Sequence, residues 1–392
     1  MLLKEAGLPL EVVILIIGGM ALLISGILLF PVHYGLIPYY ENGLFGLLII
    51  VFSLQMMMLG KTPFGDISMS IPLFVTGVFI AVVGMVTSFI PSVSPFPRIL
   101  LFISFGPGGL FLFLKMCLEK ERLRSWAAKG GIFWHLIHGC ALTYVFSMLT
   151  GVILLQQGLF STPVIGVILC LFGMAILYLS GVLWKIYGRY PVKIKPESTI
   201  VISTDQAMLI LMGVFMVILG ILLVPVSLGL LPFSKSAQLG LLMVIFAFQM
   251  LASGGTPIGA FPRSWLIIAF GLFFAALGIV SCIIPDILLS PLTILVGVLN
   301  IAGGIISIIK IGMQRLLQKE GIALSIPPIL IHLSVTQLIL NLLGIMFGVS
   351  MLIPNLIHGL AIGVILAANG CVLLYLLSIL VKLDKMRAGM EK

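Results

Sequence analysis

Long apolar runs alternate with short polar connections along nearly the whole chain. Each run holds roughly 18 to 25 residues, enough to cross a hydrocarbon core about 30 Å thick. A membrane barrel would need short alternating strands, whereas these runs are continuous. Backbone amides inside a bilayer must be satisfied within their own segment, so the runs are predicted to be α-helices. Twelve are expected, near residues 11–31, 43–60, 70–90, 98–117, 132–155, 163–186, 207–228, 238–253, 264–284, 290–310, 328–353 and 359–381.

The chain also repeats itself. Residues 26–91 align without a gap with residues 220–285, at an offset of 194, with 27 identities in 66 positions. About 6 identities are expected by chance for two such apolar segments, and hydrophobicity alone does not fix the shared Pro, Gly and Gln positions. We therefore expect two six-helix repeats, residues 1–190 and 207–392, joined by a basic cytoplasmic linker at 191–206. The duplication also predicts that the first apolar run is a retained helix and not a signal peptide.

Charge placement predicts the orientation. The chain carries 21 Lys and Arg against 12 Asp and Glu, and the cations cluster between the apolar runs. If both termini are cytoplasmic, 19 of the 21 cations lie inside and only Arg98 and Lys235 lie outside. The halves then share one orientation, with a pseudo-two-fold axis along the membrane normal. No basic domain stands outside the bilayer, which excludes nucleic-acid binding despite a net charge of +9.

Glycines seven residues apart recur in corresponding helices of the two halves. Seven residues make about two turns, so both glycines of a pair lie on one face, where a neighbouring helix can approach closely. The pairs are Gly19 and Gly26, Gly77 and Gly84, Gly213 and Gly220, and Gly271 and Gly278.

A family resemblance is carried by the segment GIVSCIIPDILLSPLTILVGVLNIAGGIISI, at residues 278–308. It resembles a helix pair of the bacterial acid-resistance membrane proteins built of short helix-pair repeats. The resemblance covers the first two helix pairs of each half, whereas members of that family have a single six-helix unit. It implies a protein of the prokaryotic cytoplasmic (inner) membrane linked to envelope stress, and it assigns no functional residues.

A matched pair of glutamines is the best candidate for a ligand site. Gln55 and Gln249 lie near the cytoplasmic ends of the second helices, each followed by G-x-T-P-x-G with Thr62 or Thr256. Short spans broken by Gly and Pro at corresponding places in two halves are typical of transporter sites. The alternative is that each Gln hydrogen-bonds a neighbouring helix and each T-P forms a tight turn or a helix N-cap.

His138 and His332 occupy matching positions in the fifth helices. Such a pair could ligate one haem iron from both sides, although a lone membrane histidine can equally hydrogen-bond a neighbouring helix. The five cysteines are scattered and suggest packing rather than a metal site. The middle of the membrane holds no Asp, Glu, Lys or Arg and no familiar catalytic motif occurs, so no enzymatic activity, cofactor or carboxylate-based ion relay is predicted.

Three functions remain open. The first is a non-enzymatic scaffold, anchor or envelope-stress component that assembles with other membrane proteins or with copies of itself. The second is a facilitator for a neutral or lipophilic small molecule moving between the halves. The third is a haem- or quinone-binding subunit of an electron-transfer complex. The second places Gln55 and Gln249 along a path between the halves, and most of its support is fold-level analogy, because parallel duplication is common among carriers.

Overall fold

The computed structural model describes the chain except for residues 1–6, 92–94, 157, 191–202, 320–327, 354–355, 357 and 391–392. Its described part holds thirteen helices, twelve of them long and apolar enough to cross a membrane. The predicted all-α class with twelve spans is confirmed. Most of the linker predicted at 191–206 lies outside the described residues, and its last residues belong to a helix that already begins at Thr204.

The helices follow the predicted spans to within a few residues at most ends. In the first half they are α1 (Leu10–His33), α2 (Glu41–Leu59), α3 (Ile71–Phe89), α4 (Phe96–Leu118), α5 (Lys120–Lys129), α6 (Ile132–Leu155) and α7 (Thr162–Arg189). In the second half they are α8 (Thr204–Ser227), α9 (Lys235–Ser253), α10 (Trp265–Ile283), α11 (Leu289–Lys319), α12 (Pro328–Leu352) and α13 (Gly359–Met390).

Helix α5 is the element that the hydrophobic pattern does not predict. Its ten residues, KERLRSWAAK, are too few and too polar to span a bilayer. Gly130 and Gly131 follow it with φ angles of 61° and 56°, which side-chain-bearing residues rarely adopt, and so separate it from α6. A short charged helix therefore precedes the fifth span where only a basic connection was expected.

The two G-x-T-P-x-G motifs form the same small hairpin. β1 (Lys61–Thr62) pairs with β2 (Gly65–Asp66), and β3 (Gly255–Thr256) pairs with β4 (Gly259–Ala260). In each hairpin the threonine Oγ1 donates a hydrogen bond of 2.8 Å to the carbonyl oxygen of the second-strand glycine. Gly60 and Gly254 end the preceding helices in the left-handed conformation. The tight-turn interpretation of T-P is confirmed.

Packing divides the chain into two compact units. The larger contains α1–α7, α9 and α10, and the smaller contains α8, β3, β4 and α11–α13. In the larger unit α1 packs on α7, α2 on α3, α4 on α6 and α9 on α10. In the smaller unit α8 packs on α13 and α11 on α12. Each half thus pairs its first span with its sixth, its second with its third and its fourth with its fifth, whichever unit the pair belongs to.

The paired glycines mark the closest helix contacts. A Cβ atom on Gly26 would lie 2.6 Å from the backbone oxygen of Gly166 and the backbone nitrogen of Cys170 in α7. The equivalent Gly220 would meet the Gly363 oxygen and the Ala367 nitrogen of α13 at 2.5 Å. The predicted close approach is confirmed for these glycines, and their neighbour is the last helix of the same half rather than the next helix in the chain.

Second and third spans from both halves meet inside the larger unit. The Tyr40 amide donates to the Ile283 carbonyl at 2.8 Å, and the Ser234 amide donates to the Phe89 carbonyl at 2.9 Å. Donors and acceptors of these two bonds are related by the 194-residue offset of the sequence repeat. These two hydrogen bonds therefore repeat at the same offset as the sequence, while the pseudo-two-fold axis of the halves stays a prediction.

Candidate functional site

A cavity of about 400 Å³ lies in the larger unit, and every residue lining it belongs to the first half of the sequence. Its walls come from α1, α2, α4, α5, α6, α7 and the β1–β2 hairpin. Ligand sites in proteins are concave, mostly apolar and commonly 300 to 1,000 Å³ in volume, with a few polar groups that orient the ligand. This cavity has the size and the mixed lining of such a site.

Helix α7 shows how deep the cavity is. One face of the helix lines it, with residues spaced four, three, four and four apart: Phe172, Ile176, Leu179, Leu183 and Tyr187. Phe172 and Tyr187 are fifteen positions apart, which corresponds to a helix rise of about 22 Å at 1.5 Å per residue. The cavity is therefore long, at more than half of the thickness of a hydrocarbon core of about 30 Å.

Aromatic rings form the deep end. Phe105 in α4 packs edge-on against Phe52 in α2 and Phe172 in α7, with ring centroids 5.1 and 5.6 Å apart. Edge-to-face contacts at these separations are favourable. Helix α4 carries Pro107 two residues beyond Phe105, and a proline inside a helix removes a backbone hydrogen bond and allows a kink. The aromatic cluster therefore lies beside a position where α4 can bend.

Charged side chains line the opposite end. Lys61 of the hairpin forms an ion pair with Glu11 in the first turn of α1. The Tyr187 hydroxyl donates a hydrogen bond of 2.6 Å to the other oxygen of the Glu11 carboxylate. Asp66, Lys115 and Glu119 complete the charged lining. Three carboxylates and two ammonium groups therefore face one volume, which suits a ligand carrying both signs of charge.

Polar groups continue along the wall between the two ends. Gln55 and Ser147 line the cavity, and the Ser147 hydroxyl donates a hydrogen bond of 2.8 Å to the Phe105 carbonyl. Thr143 also lines it, and its Oγ1 is buried without a hydrogen-bond partner in the described structure. A buried polar atom without a partner costs about 1–3 kcal/mol. Thr143 is therefore placed to gain from a ligand that supplies a hydrogen bond.

The four residues of the predicted ligand site have different surroundings. Gln55 and Thr62 line the cavity, whereas Gln249 and Thr256 do not. Gln249 belongs to α9, the most buried of the described spans, and its carbonyl accepts a hydrogen bond from Ser253 at 3.1 Å. Thr256 stabilises the second hairpin. Matching glutamines in the sequence are thus not matching cavity residues in the structure.

The two histidines proposed as haem ligands are both exposed on the surfaces of their own helices. Nδ1 of His138 lies 2.7 Å from the Trp134 carbonyl oxygen one turn earlier in α6. His332 belongs to α12, where its backbone carbonyl accepts a hydrogen bond from Thr336. His138 belongs to the larger unit and His332 to the smaller one, and haem binding by the two stays a prediction. Within the described residues, no cluster of three or more His, Cys, Asp or Glu could hold a metal ion.

Sequence reasoning missed the ionic end of the cavity, above all Glu11, Lys61 and Tyr187. The signal that marks them in the sequence is a difference between the halves beside the shared T-P turn. Lys61 and Asp66 stand where the second half has Gly255 and Ala260. Shared positions maintain the common hairpin, and the unshared charges belong to the cavity of the first half.

The Glu11–Lys61 pair gives a first prediction. We expect Lys61→Met and Glu11→Gln to destabilise the protein individually, with a coupling free energy of about 1 kcal/mol. This value lies at the upper end for exposed pairs, below the 3–5 kcal/mol lost when a buried pair is broken, because the two side chains are 34% and 19% exposed. Thermal unfolding of the single and double variants measures the coupling. Strict additivity of the two changes would show that the ion pair contributes nothing.

Comparison with protein-family models, with curated proteins and with solved structures yields no match to this chain. The class of protein therefore follows from the fold itself: a polytopic membrane protein with twelve candidate spans and a cavity lined by residues of the first half of its sequence.

Proposed function

We propose that this protein binds a small, net-neutral molecule in the cavity of its first repeat and facilitates the passage of that molecule across the membrane. The observation that carries the proposal is the lining of the cavity, which is ionic at one end, polar along the wall and aromatic at the deep end. Binding sites that combine an apolar body with a few oriented polar groups are the general form of small-molecule sites.

Passage requires the deep end to open. Phe105 lies at this end of the cavity, and Pro107 lies two residues further along α4 between Gly106 and Gly108. A kink at this point moves Phe105 relative to Phe52 and Phe172 without unfolding the helix, since prolines and glycines are where helices bend. The facilitator interpretation therefore has a mechanical element in addition to a binding site.

The scaffold interpretation rested on short loops, glycine-rich packing and the lack of charge in the middle of the membrane. Gly19 and Gly26 pack against α7, and Gly213 and Gly220 pack against α13, each within its own unit. These glycines therefore need no partner protein to explain them. The ionic lining accounts for charges that an anchor does not need. We therefore place small-molecule binding ahead of assembly, and we retain the resemblance to acid-resistance proteins only as a prediction about cellular context.

We further propose an inner-membrane location in a prokaryote, with both ends in the cytoplasm. The cation distribution supports this orientation. Two ion pairs each join residues that the predicted topology puts on the same side of the membrane. Arg98 pairs with Glu41 at 2.8 Å on the predicted outer side, and Lys61 pairs with Glu11 on the predicted inner side. The ionic end of the cavity then faces the cytoplasm.

Ligand-induced stabilisation tests the binding step. We expect glycerophosphocholine, a small zwitterion, to raise the unfolding temperature of the purified protein, since a ligand at 100 times its Kd stabilises by about 2.7 kcal/mol. Gln55→Leu should weaken binding about tenfold, the equivalent of one hydrogen bond of about 1.4 kcal/mol. Gln249→Leu is the matched control and should bind like the unmodified protein.

Two outcomes contradict the proposal in different ways. Equal weakening by Gln55→Leu and Gln249→Leu would favour a site formed jointly by the two halves. A protein that glycerophosphocholine does not stabilise at any concentration would overturn binding of a net-neutral zwitterion in this cavity.

A further inference from the structure

A second cavity of about 280 Å³ adjoins the first. It lies among α2, α3, α4 and the β1–β2 hairpin, and its lining is apolar apart from the hydroxyls of Thr62 and Ser104. Four residues line both cavities: Phe52, Thr62, Pro63 and Ser104. The ionic cavity and the apolar cavity therefore adjoin at these four side chains.

The apolar cavity is bordered by residues on the outside of the protein. Phe64, Ile67 and Ile103 line it and are 45%, 52% and 41% exposed. In a membrane-spanning protein, exposed apolar side chains of this kind face lipid or the lipid–water boundary. An alkyl chain can therefore reach this cavity sideways from the bilayer, without passing the charged end of the first cavity.

The charges beside the hairpin are of both signs. A Cβ on Gly65 would lie 3.5 Å from Lys115 Nζ, so Lys115 reaches the hairpin that carries Lys61 and Asp66. Ammonium groups can bind a phosphate, and the carboxylates can bind a cationic group. Trp126 also lines the first cavity, and indole rings can attract quaternary ammonium groups. Phosphate and ammonium on one headgroup match this arrangement better than either charge alone.

We propose that the ligand is a zwitterionic amphiphile with one alkyl chain, of the lysophospholipid class. This inference rests on the proposed function and specifies its substrate. The headgroup occupies the ionic part of the first cavity and the chain occupies the apolar second cavity. The linkage between them passes Thr62 and Ser104, the two hydroxyl side chains common to both cavities.

Photo-crosslinking can locate the alkyl chain of the ligand. The probe is a lysophosphatidylcholine with a diazirine midway along its chain, added to the protein in phosphatidylglycerol nanodiscs. We expect crosslinks on Ile80 and Leu100, reduced at least tenfold by excess lysophosphatidylcholine and not by lysophosphatidylglycerol. Ile80→Trp fills the apolar cavity and should remove these crosslinks. Phe79→Trp, a neighbouring exposed position that lines neither cavity, is the matched control and should keep them.

Crosslinks confined to outward residues such as Phe79, and insensitive to competitor, would overturn the assignment of the chain. Equal competition by lysophosphatidylglycerol would overturn the assignment of the headgroup. Neither result affects the stabilisation by glycerophosphocholine, which tests the first cavity alone. Loss of that stabilisation would instead remove the proposed function together with this inference.

Discussion

Thr143→Trp is expected to abolish ligand binding. Thr143 lies on the wall of the first cavity, and an indole at this position projects into the volume that the ligand occupies. We expect an affinity loss of more than 100-fold, measured as the absence of a glycerophosphocholine-dependent rise in unfolding temperature. The protein itself should lose no more than about 1 kcal/mol, at the low end of the cost of inserting a larger side chain into a packed core, because the cavity accommodates the ring.

The neighbouring residue provides the control for this variant. Leu142 precedes Thr143 in α6, is 46% exposed and does not line the cavity. Leu142→Trp adds an indole on the lipid-facing side of the same helix turn and should leave binding unchanged. Normal binding by Thr143→Trp would show that the ligand lies elsewhere.

Gly26→Ala is expected to destabilise the protein by about 2–3 kcal/mol. The added methyl group would lie 2.6 Å from two backbone atoms of α7, and neither can rotate away. Relief requires α1 and α7 to separate along their whole interface, and overpacking costs typically 1–3 kcal/mol. Thermal unfolding in detergent micelles measures the loss. Gly220→Ala repeats the experiment in the second half, where the corresponding distance is 2.5 Å.

Gly181→Ala is the matched control, because Gly181 also belongs to α7 but a Cβ there meets nothing within 4 Å. Replacing glycine by alanine in an open helical position should be neutral or stabilise by up to about 1 kcal/mol. If Gly26→Ala and Gly181→Ala unfold at the same temperature, close approach at Gly26 is not what holds the helix pair together.

Hydrophobic patterning was sufficient to predict the fold class and the twelve spans, because a bilayer allows few structures other than helices. It did not reveal α5, whose polar residues carry no membrane signal. Pairing of the helices could not be derived either. Gly19 and Gly26 indicated a close neighbour, but only the folded structure shows that this neighbour is α7 rather than α2.

The lining of the first cavity was predictable in part. Gln55 and Thr62 were identified from the repeat and line the cavity. Glu11 was not, because it lies at the start of an apolar run and meets Lys61, fifty residues away, only after folding. Contacts between residues distant in sequence depend on tertiary packing, which one amino-acid sequence does not disclose. Differences between the halves, such as Lys61 where the second half has Gly255, were the sequence feature that indicated the charged lining.

A native cysteine offers the most direct test of the cavity. Cys140 lines it on α6, whereas Cys371 is exposed on the surface of α13 in the middle of a candidate span. In variants that keep one of these cysteines and replace the other four by alanine, a charged, membrane-impermeant methanethiosulfonate reacts only where water reaches the thiol, since the thiolate is the reactive form. We expect Cys140 to be modified from the cytoplasmic side only, with protection by glycerophosphocholine, and Cys371 to remain unmodified from either side. A Cys140 thiol as inert as that of Cys371 would contradict a water-accessible binding cavity in the first repeat.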